Sequence, residues 1–450
     1  MTKEKITIVG SGLVGSLLAI FLAKRGYQVE AFERRPDMRK SNIDAGRSIN
    51  LALSTRGIYA LNQVGLQDDI MKMTIPMRGR MVHPVDGELY FQRYGRLDNE
   101  AINSISRPGL NQKLMDEAES LGVKFYFAQR CLGIDLKNGA IALRDEVTGK
   151  ERVHPVDVVI GSDGSASAIR NDMQKTGRFN YSQAYLEHGY KELTIPPAEN
   201  NGFRLDETHA LHIWPRGSYM LIALPNLDGS FTVTLFFPHQ GELSFETINN
   251  RNDVQKFFTS AFPDAIALMP TLYEDYFANP TGNLVTVRCE PWHIDGKVCL
   301  MGDAAHAVVP FFGQGMNCAF EDCTVLDACI EQANGDWREI FTLFNATRNP
   351  DANAIADMAL ENYYEMRDHV ADPKFLLKKE VEFALENKFP DRFIPRYTMV
   401  SFRRIPYAVT QQRGRIQEEI LRVICSDINT VEKLNWPQAE SLIHEKLSPV

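Results

Sequence analysis

Two apolar periodicities alternate along the chain, and their order predicts an α/β protein. The apolar run at residues 6–9 is followed by glycines, by helical periodicity over 17–24 and by a second apolar run at 29–32. A strand, a helix and a strand in that order are typical of a βαβ unit with a parallel sheet. Much later, the apolar run 298–301 precedes another helical pattern at 319–330. We therefore expect a Rossmann-like domain assembled from distant parts of the sequence.

Between these parts the pattern changes to short strands. Apolar runs lie at 210–214, 219–224 and 231–237, and a hairpin is predicted at 78–94 around a turn at 84–87. This pattern favours an antiparallel sheet, which commonly forms a wall of a substrate pocket. After about residue 335 the chain reads as helices, with breaks at Pro390 and Pro395. We predict a nucleotide-binding domain from 1–75, 100–175 and 285–335, a substrate-binding β-sheet domain from 76–99 and 176–284, and a C-terminal helical region at 336–450.

The N-terminal glycines carry the first candidate chemistry. Gly10, Gly12 and Gly15 form a G-x-G-x-x-G pattern between strand and helix, and the second strand ends at Glu33. Such glycines let the backbone approach a pyrophosphate at the helix N-terminus, and an acid about 20 residues later meets a ribose hydroxyl. The alternative is a chance glycine turn in an ordinary βαβ unit.

A second candidate clamp lies far along the chain. Gly302 and Asp303 follow a strand, and Gly315, Met316 and Asn317 open the next helix. The acid suits sugar-like hydroxyls, the glycines allow close approach, and the helix N-terminus favours negative charge. A third acid, Asp163, follows the apolar strand predicted at 156–160. Together these segments predict a site for a long, partly anionic cofactor.

Composition narrows the class of protein. The 450 residues carry a net charge of −9 with dispersed lysines and arginines, so a nucleic-acid partner is not expected. The seven cysteines include no CxxC spacing, and no metal site is expected. No apolar run approaches the ~18 residues that span a bilayer. We expect a soluble, cytoplasmic protein without a membrane anchor, and we leave its oligomeric state open.

The order of the three acidic and glycine signatures resembles that of the FAD-dependent aromatic hydroxylases, which have one Rossmann-like domain and no separate NADPH domain. Within that group, the strings at 46–54, 188–193, 211–215 and 309–317 resemble the kynurenine 3-monooxygenase family, and the match runs from about residue 5 to about 405. The resemblance implies FAD as cofactor, NADPH and O₂ as co-substrates, and hydroxylation of L-kynurenine to 3-hydroxykynurenine in tryptophan degradation. It also implies that a flavin C4a-hydroperoxide carries the chemistry. Because the aniline amine activates the ring, we name no catalytic side chain.

The resemblance also implies which residues form the sites. The FAD site would include, besides Gly10, Gly12, Gly15, Asp163 and Gly315, the positions Leu13, Val14, Glu33, Arg34, Arg35, Ala52, Arg107, Cys131, Asp303, Met316 and Asn317. NADPH would dock transiently near Asp163 and the flavin. The substrate would contact Arg80, Tyr94, Asn362 and Tyr397. By the residues alone, Arg78, Arg93 and Arg96 remain alternatives to Arg80. An even pairing sum in the hairpin would place Arg80 and Tyr94 on one face, nearly opposite each other, as a carboxylate clamp.

Four phenylalanines could line a slot for the aromatic ring, although aromatic pairs more often lie in a core. They are Phe236, Phe237, Phe311 and Phe312, of which we assign Phe237 and Phe312 to the substrate. We expect His306 to cap or pack locally. Two other functions stay open: a hydroxylase of another aromatic, such as a phenol, and a non-catalytic flavoprotein that acts as a redox sensor.

Overall fold

The computed structural model describes residues 4–40, 50–199, 202–366 and 373–450. Residues 46–49, which begin the first matching string, therefore lie outside the described residues. The chain divides into two compact units. The first unit comprises Met1–Thr74, Ile105–Leu186 and Leu284–Ala356, and the second comprises Ile75–Ser104, Glu187–Asn283 and Asp357–Val450.

The described strands are β1 Lys5–Val9, β2 Gln28–Phe32, β3 Leu51–Leu53, β4 Thr74–Met77, β5 Gly79–Val82, β6 Tyr90–Arg93, β7 Ile102–Ile105, β8 Lys124–Tyr126, β9 Gln129–Asp135, β10 Ala140–Asp145, β11 Glu151–Pro155, β12 Val158–Gly161, β13 Asn180–Ile195, β14 Ala210–Pro215, β15 Met220–Pro225, β16 Phe231–Pro238, β17 Gly282–Glu290, β18 His293–Ile294 and β19 Val298–Leu300.

The described α-helices are α1 Leu13–Lys24, α2 Thr55–Gln63, α3 Gln67–Met71, α4 Arg107–Ser120, α5 Ala168–Met173, α6 Arg251–Ala261, α7 Pro263–Ile266, α8 Leu272–Ala278, α9 Asp303–His306, α10 Gly315–Gln332, α11 Trp337–Tyr364, α12 Pro373–Lys388, α13 Arg396–Ser401, α14 Tyr407–Ile424 and α15 Trp436–Lys446. Short 3₁₀ helices cover Pro310–Phe312 and Val431–Lys433.

The first unit is built on a six-stranded sheet in the order β18-β19-β12-β1-β2-β8. β1 pairs in parallel with both β12 and β2, and β12 pairs in parallel with β19. Central parallel strands are buried on both faces, which explains the continuous apolar runs seen in the sequence. Helix α1 is also buried along most of its length. A second sheet, β11-β10-β9, is antiparallel.

The second unit contains a sheet in the order β17-β13-β16-β15-β14-β5-β6, in which β13 and β17 also continue along the chain into the first unit. Side chains alternate between its two faces. Leu221, Leu235 and Phe237 lie on the face that packs against the apolar sides of α6–α8, and we call this the core face. The register Arg80↔Leu211, Ile213↔Ile222 and Met220↔Phe236 puts those six residues on the opposite face, which we call the clamp face.

The C-terminal helices belong to the second unit. Val381 of α12, Ile420 of α14 and Ile443 of α15 share one apolar cluster. Helix α11 continues through Pro350 up to Tyr364, so the predicted boundary near residue 335 is not a break between units. Among the described helices, none combines the length and apolar character needed to cross a bilayer. The predicted class, a Rossmann-like domain with an antiparallel sheet and C-terminal helices, is confirmed.

Candidate active site

The glycine loop of the first unit is shaped by backbone contacts. Gly10 has φ +98°, and a Cβ there would lie 2.5 Å from the carbonyl oxygen of Ser162. A Cβ on Gly15 would lie 2.0 Å from the Gly10 oxygen, so only glycine lets α1 pack this closely. A Cβ on Gly12, by contrast, would meet no atom of the described residues within 4 Å. The protein's own packing therefore explains two of the three glycines and leaves Gly12 for close approach of a ligand.

Glu33 lies against this loop at the end of β2. Its Oε2 accepts a hydrogen bond from the Ser11 backbone N–H at 3.0 Å, and its Oε1 accepts one from the Arg35 N–H at 3.0 Å. The carboxylate is thereby fixed with lone pairs to spare for hydroxyl groups. Arg34 and Arg35 are exposed beside it. Asn111 of α4 was not predicted as a site residue. Its amide donates to the Ser11 carbonyl at 3.2 Å and so fixes the same loop.

Asp163 combines a structural contact with an orphaned atom. Its Oδ2 accepts from the Ala168 N–H at 2.8 Å at the start of α5, while its buried Oδ1 has no hydrogen-bond partner among the described residues. Burial raises the pKa of this carboxyl. Cys131 is half-buried nearby, and burial of its thiol, followed by the negative charge of Asp163, raises the thiol's pKa to about 12. The thiol is therefore neutral at physiological pH and offers a small, uncharged surface.

The late acidic turn meets the start of α1. Gly302 has φ +58°, and a Cβ there would lie 3.1 Å from a methyl carbon of Val14. Asp303 is exposed, although the three residues that follow it in α9 are buried. An exposed carboxylate beside the glycine loop is consistent with hydroxyl binding. Leu13 is buried at the first position of α1, and Arg107 is exposed at the first position of α4.

Asn317 holds the start of α10 with its side chain. Its Oδ1 accepts from the Ser54 N–H at 2.9 Å, and its Nδ2 donates to the carbonyls of Ala52 and Gly313, each at 2.8 Å. The side-chain amide therefore makes its hydrogen bonds within the protein, and only the backbone of Asn317 remains to contact a cofactor. Because α10 begins at Gly315, the N–H groups of Gly315, Met316 and Asn317 have no carbonyl one turn earlier in the helix. These N–H groups can therefore bind an anion or a developing negative charge.

A cluster of buried charged side chains joins the Gly302 turn to helix α10. Asp322 accepts from His306 at 2.6 Å, from the Gly302 N–H at 3.2 Å and from Arg348 at 2.8 Å. Arg348 also donates to Glu321 at 2.9 Å, and Glu321 accepts from Arg56 at 2.7 Å. The sequence analysis missed this cluster. The available signal was the pair of adjacent acids, Glu321 and Asp322, within a largely apolar helix.

The cluster fixes the protonation of His306. Burial alone would lower the pKa of this imidazole, but the carboxylate of Asp322 raises it well above its usual range. Burial would likewise raise the pKa of Asp322, but His306 and Arg348 lower it. His306, Cys318 and Asp322 offer ligand atoms within 4.8 Å of one another. However, the guanidinium of Arg348 lies 3.2 Å from Cys318 Sγ and already supplies positive charge there, so we assign no metal.

The carboxylate clamp predicted from the hairpin lies in the second unit. The rings of Tyr94 and Tyr397 stack with centroids 4.9 Å apart and an interplanar angle of 10°. The guanidinium carbon of Arg80 lies 5.4 Å from the Tyr94 centroid and 5.8 Å from that of Tyr397. The pairing is even, as predicted: Gln92 lies directly opposite Arg80, and Tyr94 lies diagonally on the same face.

Electrostatics favours anion binding at this clamp. Arg80 is only 6% exposed, and burial alone would lower its pKa, but Tyr94, Tyr397 and Glu365 raise the pKa above its ordinary value. Burial raises the pKa of both tyrosines, so their hydroxyls keep the proton that a carboxylate needs. Asn362 is buried one turn before the described end of this segment and donates weakly to Met366 Sδ at 3.5 Å.

The phenylalanine assignments divide. Phe237 lies on the core face, where its ring packs 4.8 Å from that of Phe257 and 5.3 Å from that of Tyr219. The assignment of Phe237 to the substrate was therefore wrong, because period-two alternation turns it away from Arg80. Phe236 takes the position on the clamp face. Phe312 is buried in the 3₁₀ helix of the first unit, and its substrate contact stays a prediction.

Comparison with known proteins supports the cofactor and the class. Residues 3–337 match the family described as FAD binding domain. The chain is 51% identical to kynurenine 3-monooxygenase of Myxococcus xanthus (strain DK1622), over 99% of this chain and 96% of that protein. It is 47% identical to kynurenine 3-monooxygenase of Dictyostelium discoideum, over 100% and 99% of the two chains.

Solved structures with the same fold are more distant in sequence. The tetrameric form of 2-methyl-3-hydroxypyridine-5-carboxylic acid oxygenase has a TM-score of 0.67 at 19% identity, covering 83% of this chain and 95% of that one. PqsL of P. aeruginosa in complex with 2-aminobenzoylacetate has a TM-score of 0.63 at 21% identity, covering 81% and 97%. These similarities support the fold alone.

Proposed function

The chain belongs to the kynurenine 3-monooxygenase family, and from this premise we propose that it hydroxylates L-kynurenine to 3-hydroxykynurenine with FAD and NADPH. The observation that carries the proposal is the clamp of Arg80, Tyr94 and Tyr397. A buried guanidinium beside two stacked, protonated phenols fits the carboxylate of an amino acid. A simple phenol has no such group, which argues against a phenol hydroxylase.

The residues of the first unit fit FAD. The open space beside Gly12, the fixed carboxylate of Glu33 and the exposed Asp303 suit a pyrophosphate, an adenosine ribose and a ribityl chain, respectively. The N–H groups that open α10 suit the flavin edge that becomes negative on reduction. Bound FAD supplies the redox and oxygen-transfer chemistry. The protein residues around it bind and orient the cofactor and protect it from water.

In the second unit, Arg80 neutralises the substrate carboxylate while the hydroxyls of Tyr94 and Tyr397 donate hydrogen bonds to it. The apolar side chains of the clamp face, among them Ile213, Met220 and Phe236, exclude water from the aromatic ring. The ortho-amine of kynurenine already makes the ring electron-rich, so no side chain has to remove a proton from the substrate. This is why we assign no general base.

Three further assignments stay predictions: the docking of NADPH near Asp163, the contact of the Pro310–Phe312 segment with the substrate, and a cytoplasmic location. The contribution of Asn362 to substrate binding is part of the proposal. It rests on the family resemblance and on the burial of this side chain in the second unit.

The proposal is tested by adding L-kynurenine to purified flavoprotein with NADPH in air. We expect rapid NADPH consumption coupled to 3-hydroxykynurenine. Equal stimulation by a simple phenol would favour the other aromatic hydroxylase, and bound flavin without turnover would favour the redox sensor.

Arg80→Ala should raise the KM for kynurenine by about 30-fold or more, because the carboxylate loses its buried charge partner. The flavin content should not change, since Arg80 belongs to the second unit. Arg78→Ala is the matched control: Arg78 precedes β5, and its side chain is exposed. A loss of FAD in the Arg80 variant would contradict the assignment, as would an equal KM change in the Arg78 control.

A further inference from the structure

We propose that Gln92 is a further substrate-binding residue, which reads the α-amino acid head group beside Arg80 and sets the preference for an amino acid over a simple carboxylate. This inference rests on the proposed function and deepens it. Neither the motifs nor the resemblance points to Gln92.

The register of the hairpin places the two side chains together. Arg80 of β5 pairs directly with Gln92 of β6. Directly opposed residues of an antiparallel pair have Cβ atoms about 4.5–5.5 Å apart and project from the same face. Gln92 therefore lies beside Arg80 on the clamp face, and Tyr94 follows two residues later on the same strand.

The polar atoms of this pair are buried without partners. Neither Nε2 nor Oε1 of Gln92 has a hydrogen-bond partner among the described residues, and the same holds for Nε of Arg80. All three atoms are nearly inaccessible to solvent. Buried polar groups are almost always hydrogen-bonded, and an orphaned one destabilises the folded protein. Three orphans on two neighbouring side chains indicate a site whose partner is a ligand.

The chemistry of the three atoms matches a zwitterion. Arg80 Nε and Gln92 Nε2 are donors, which suits two oxygens of a carboxylate. Gln92 Oε1 is an acceptor, and the α-ammonium of an amino acid is the donor that it lacks. Arg80 has only donors and so recognises the carboxylate alone, and we assign the two tyrosine hydroxyls to the same group. The amide of Gln92 can accept from the ammonium while donating to the carboxylate.

The test compares L-kynurenine with its analogue that lacks the α-amino group, 4-(2-aminophenyl)-4-oxobutanoate. The measured quantity is the ratio of kcat/KM for the two substrates. Wild type should prefer kynurenine. Gln92→Met keeps the length of the side chain and removes both polar atoms, so the preference should fall at least about tenfold, as for loss of a hydrogen bond to a charged group. An unchanged ratio would overturn the inference.

A second variant covers the case in which Gln92→Met folds poorly, which flavin content and thermal unfolding would reveal. Gln92→Glu keeps an acceptor for the ammonium but repels the carboxylate. We expect a higher KM for both substrates with the preference for kynurenine retained. An unchanged KM for both would show that the side chain does not face the head group.

Arg93→Met is the matched control. Arg93 lies next to Gln92 on the same strand but projects to the other face, where it pairs with the exposed Asp98. Its substrate preference should equal that of wild type. If wild type fails to hydroxylate kynurenine at all, the proposed function fails. If wild type is active and only the predicted change in ratio is missing, the role of Gln92 fails alone.

Discussion

Glu386 of α12 is a buried acid whose pKa lies well above its ordinary value. Its side chain is 3% exposed, and its Oε2 has no hydrogen-bond partner among the described residues. Burial, and then the negative charge of Glu100, raise the pKa of this carboxyl to about 7. Glu100 is itself buried and lies 3.0 Å from Arg403. Two buried acids, Glu100 after β6 and Glu386 in α12, therefore interact electrostatically within the second unit.

This arrangement predicts a stability that depends on pH. The folded pKa is about 7 and the unfolded pKa about 4.3, so the unfolded chain loses its proton first as the pH rises. The contribution of Glu386 is fully present below pH ~4.3, falls between ~4.3 and ~7, and is lost above ~7. The loss is at most on the order of 3–4 kcal/mol. Glu386→Gln should therefore gain stability over wild type as the pH rises through this window.

The measurement is denaturant unfolding of both proteins at several pH values between 5 and 8. Glu380→Gln serves as control, because Glu380 lies on the same helix and is exposed. If the wild-type and Glu386→Gln curves stay parallel over the whole window, the carboxyl is not buried as an acid in the folded protein.

At the scale of an element, helix α1 depends on two glycines for different reasons. A Cβ on Gly15 would meet the Gly10 carbonyl, which is backbone and cannot move aside, whereas a Cβ on Gly12 would meet nothing. Gly12 has φ −72°, so alanine adopts its backbone conformation without strain.

The two alanine variants should therefore separate folding from cofactor binding. Gly15→Ala should destabilise the protein even without FAD, by about 2 kcal/mol or more, because α1 is forced off the loop. Gly12→Ala should leave the unfolding of the apo-protein unchanged within about 0.5 kcal/mol. It should nevertheless weaken FAD binding at least about tenfold, since a methyl group would occupy the approach path of the pyrophosphate. Thermal unfolding of the apo-proteins and FAD titration by fluorescence measure the two effects. Normal FAD affinity in Gly12→Ala would rule out this path.

At the scale of the whole molecule, the division into two units predicts where the cofactor acts. Every proposed FAD residue belongs to the first unit, although the chain positions run from Gly10 to Asn317. A ligand that binds only the native state protects the segments that it contacts. Adding FAD to apo-protein should slow hydrogen exchange most in α1, the loop after β12 and the start of α10. Strands β14–β16 should change least.

Hydrogen exchange measured by mass spectrometry, with and without FAD, tests this expectation. L-kynurenine added to the holoenzyme provides the contrasting experiment, and its protection should centre on β5, β6 and α13. Strong FAD-dependent protection confined to β14–β16 would place the cofactor in the wrong unit.

The sequence by itself determined the class of fold and the chemistry of the cofactor site. Strand periodicity, the positions of glycines and the acids after strands are local features that can be read along the chain. The motif residues also carry the family resemblance, which the similarity to known proteins confirms.

Only the tertiary structure decided which side chains face one another. A shift of one residue reverses the face of a strand, so Phe237 belongs to the core while Phe236 belongs to the clamp face. A difference of two residues in the pairing makes Gln92, and not Tyr94, the residue directly opposite Arg80, although both lie on the same face. The charge cluster joins Arg56, Asp322 and Arg348 across almost 300 positions. These contacts depend on long-range packing, which local periodicity does not encode.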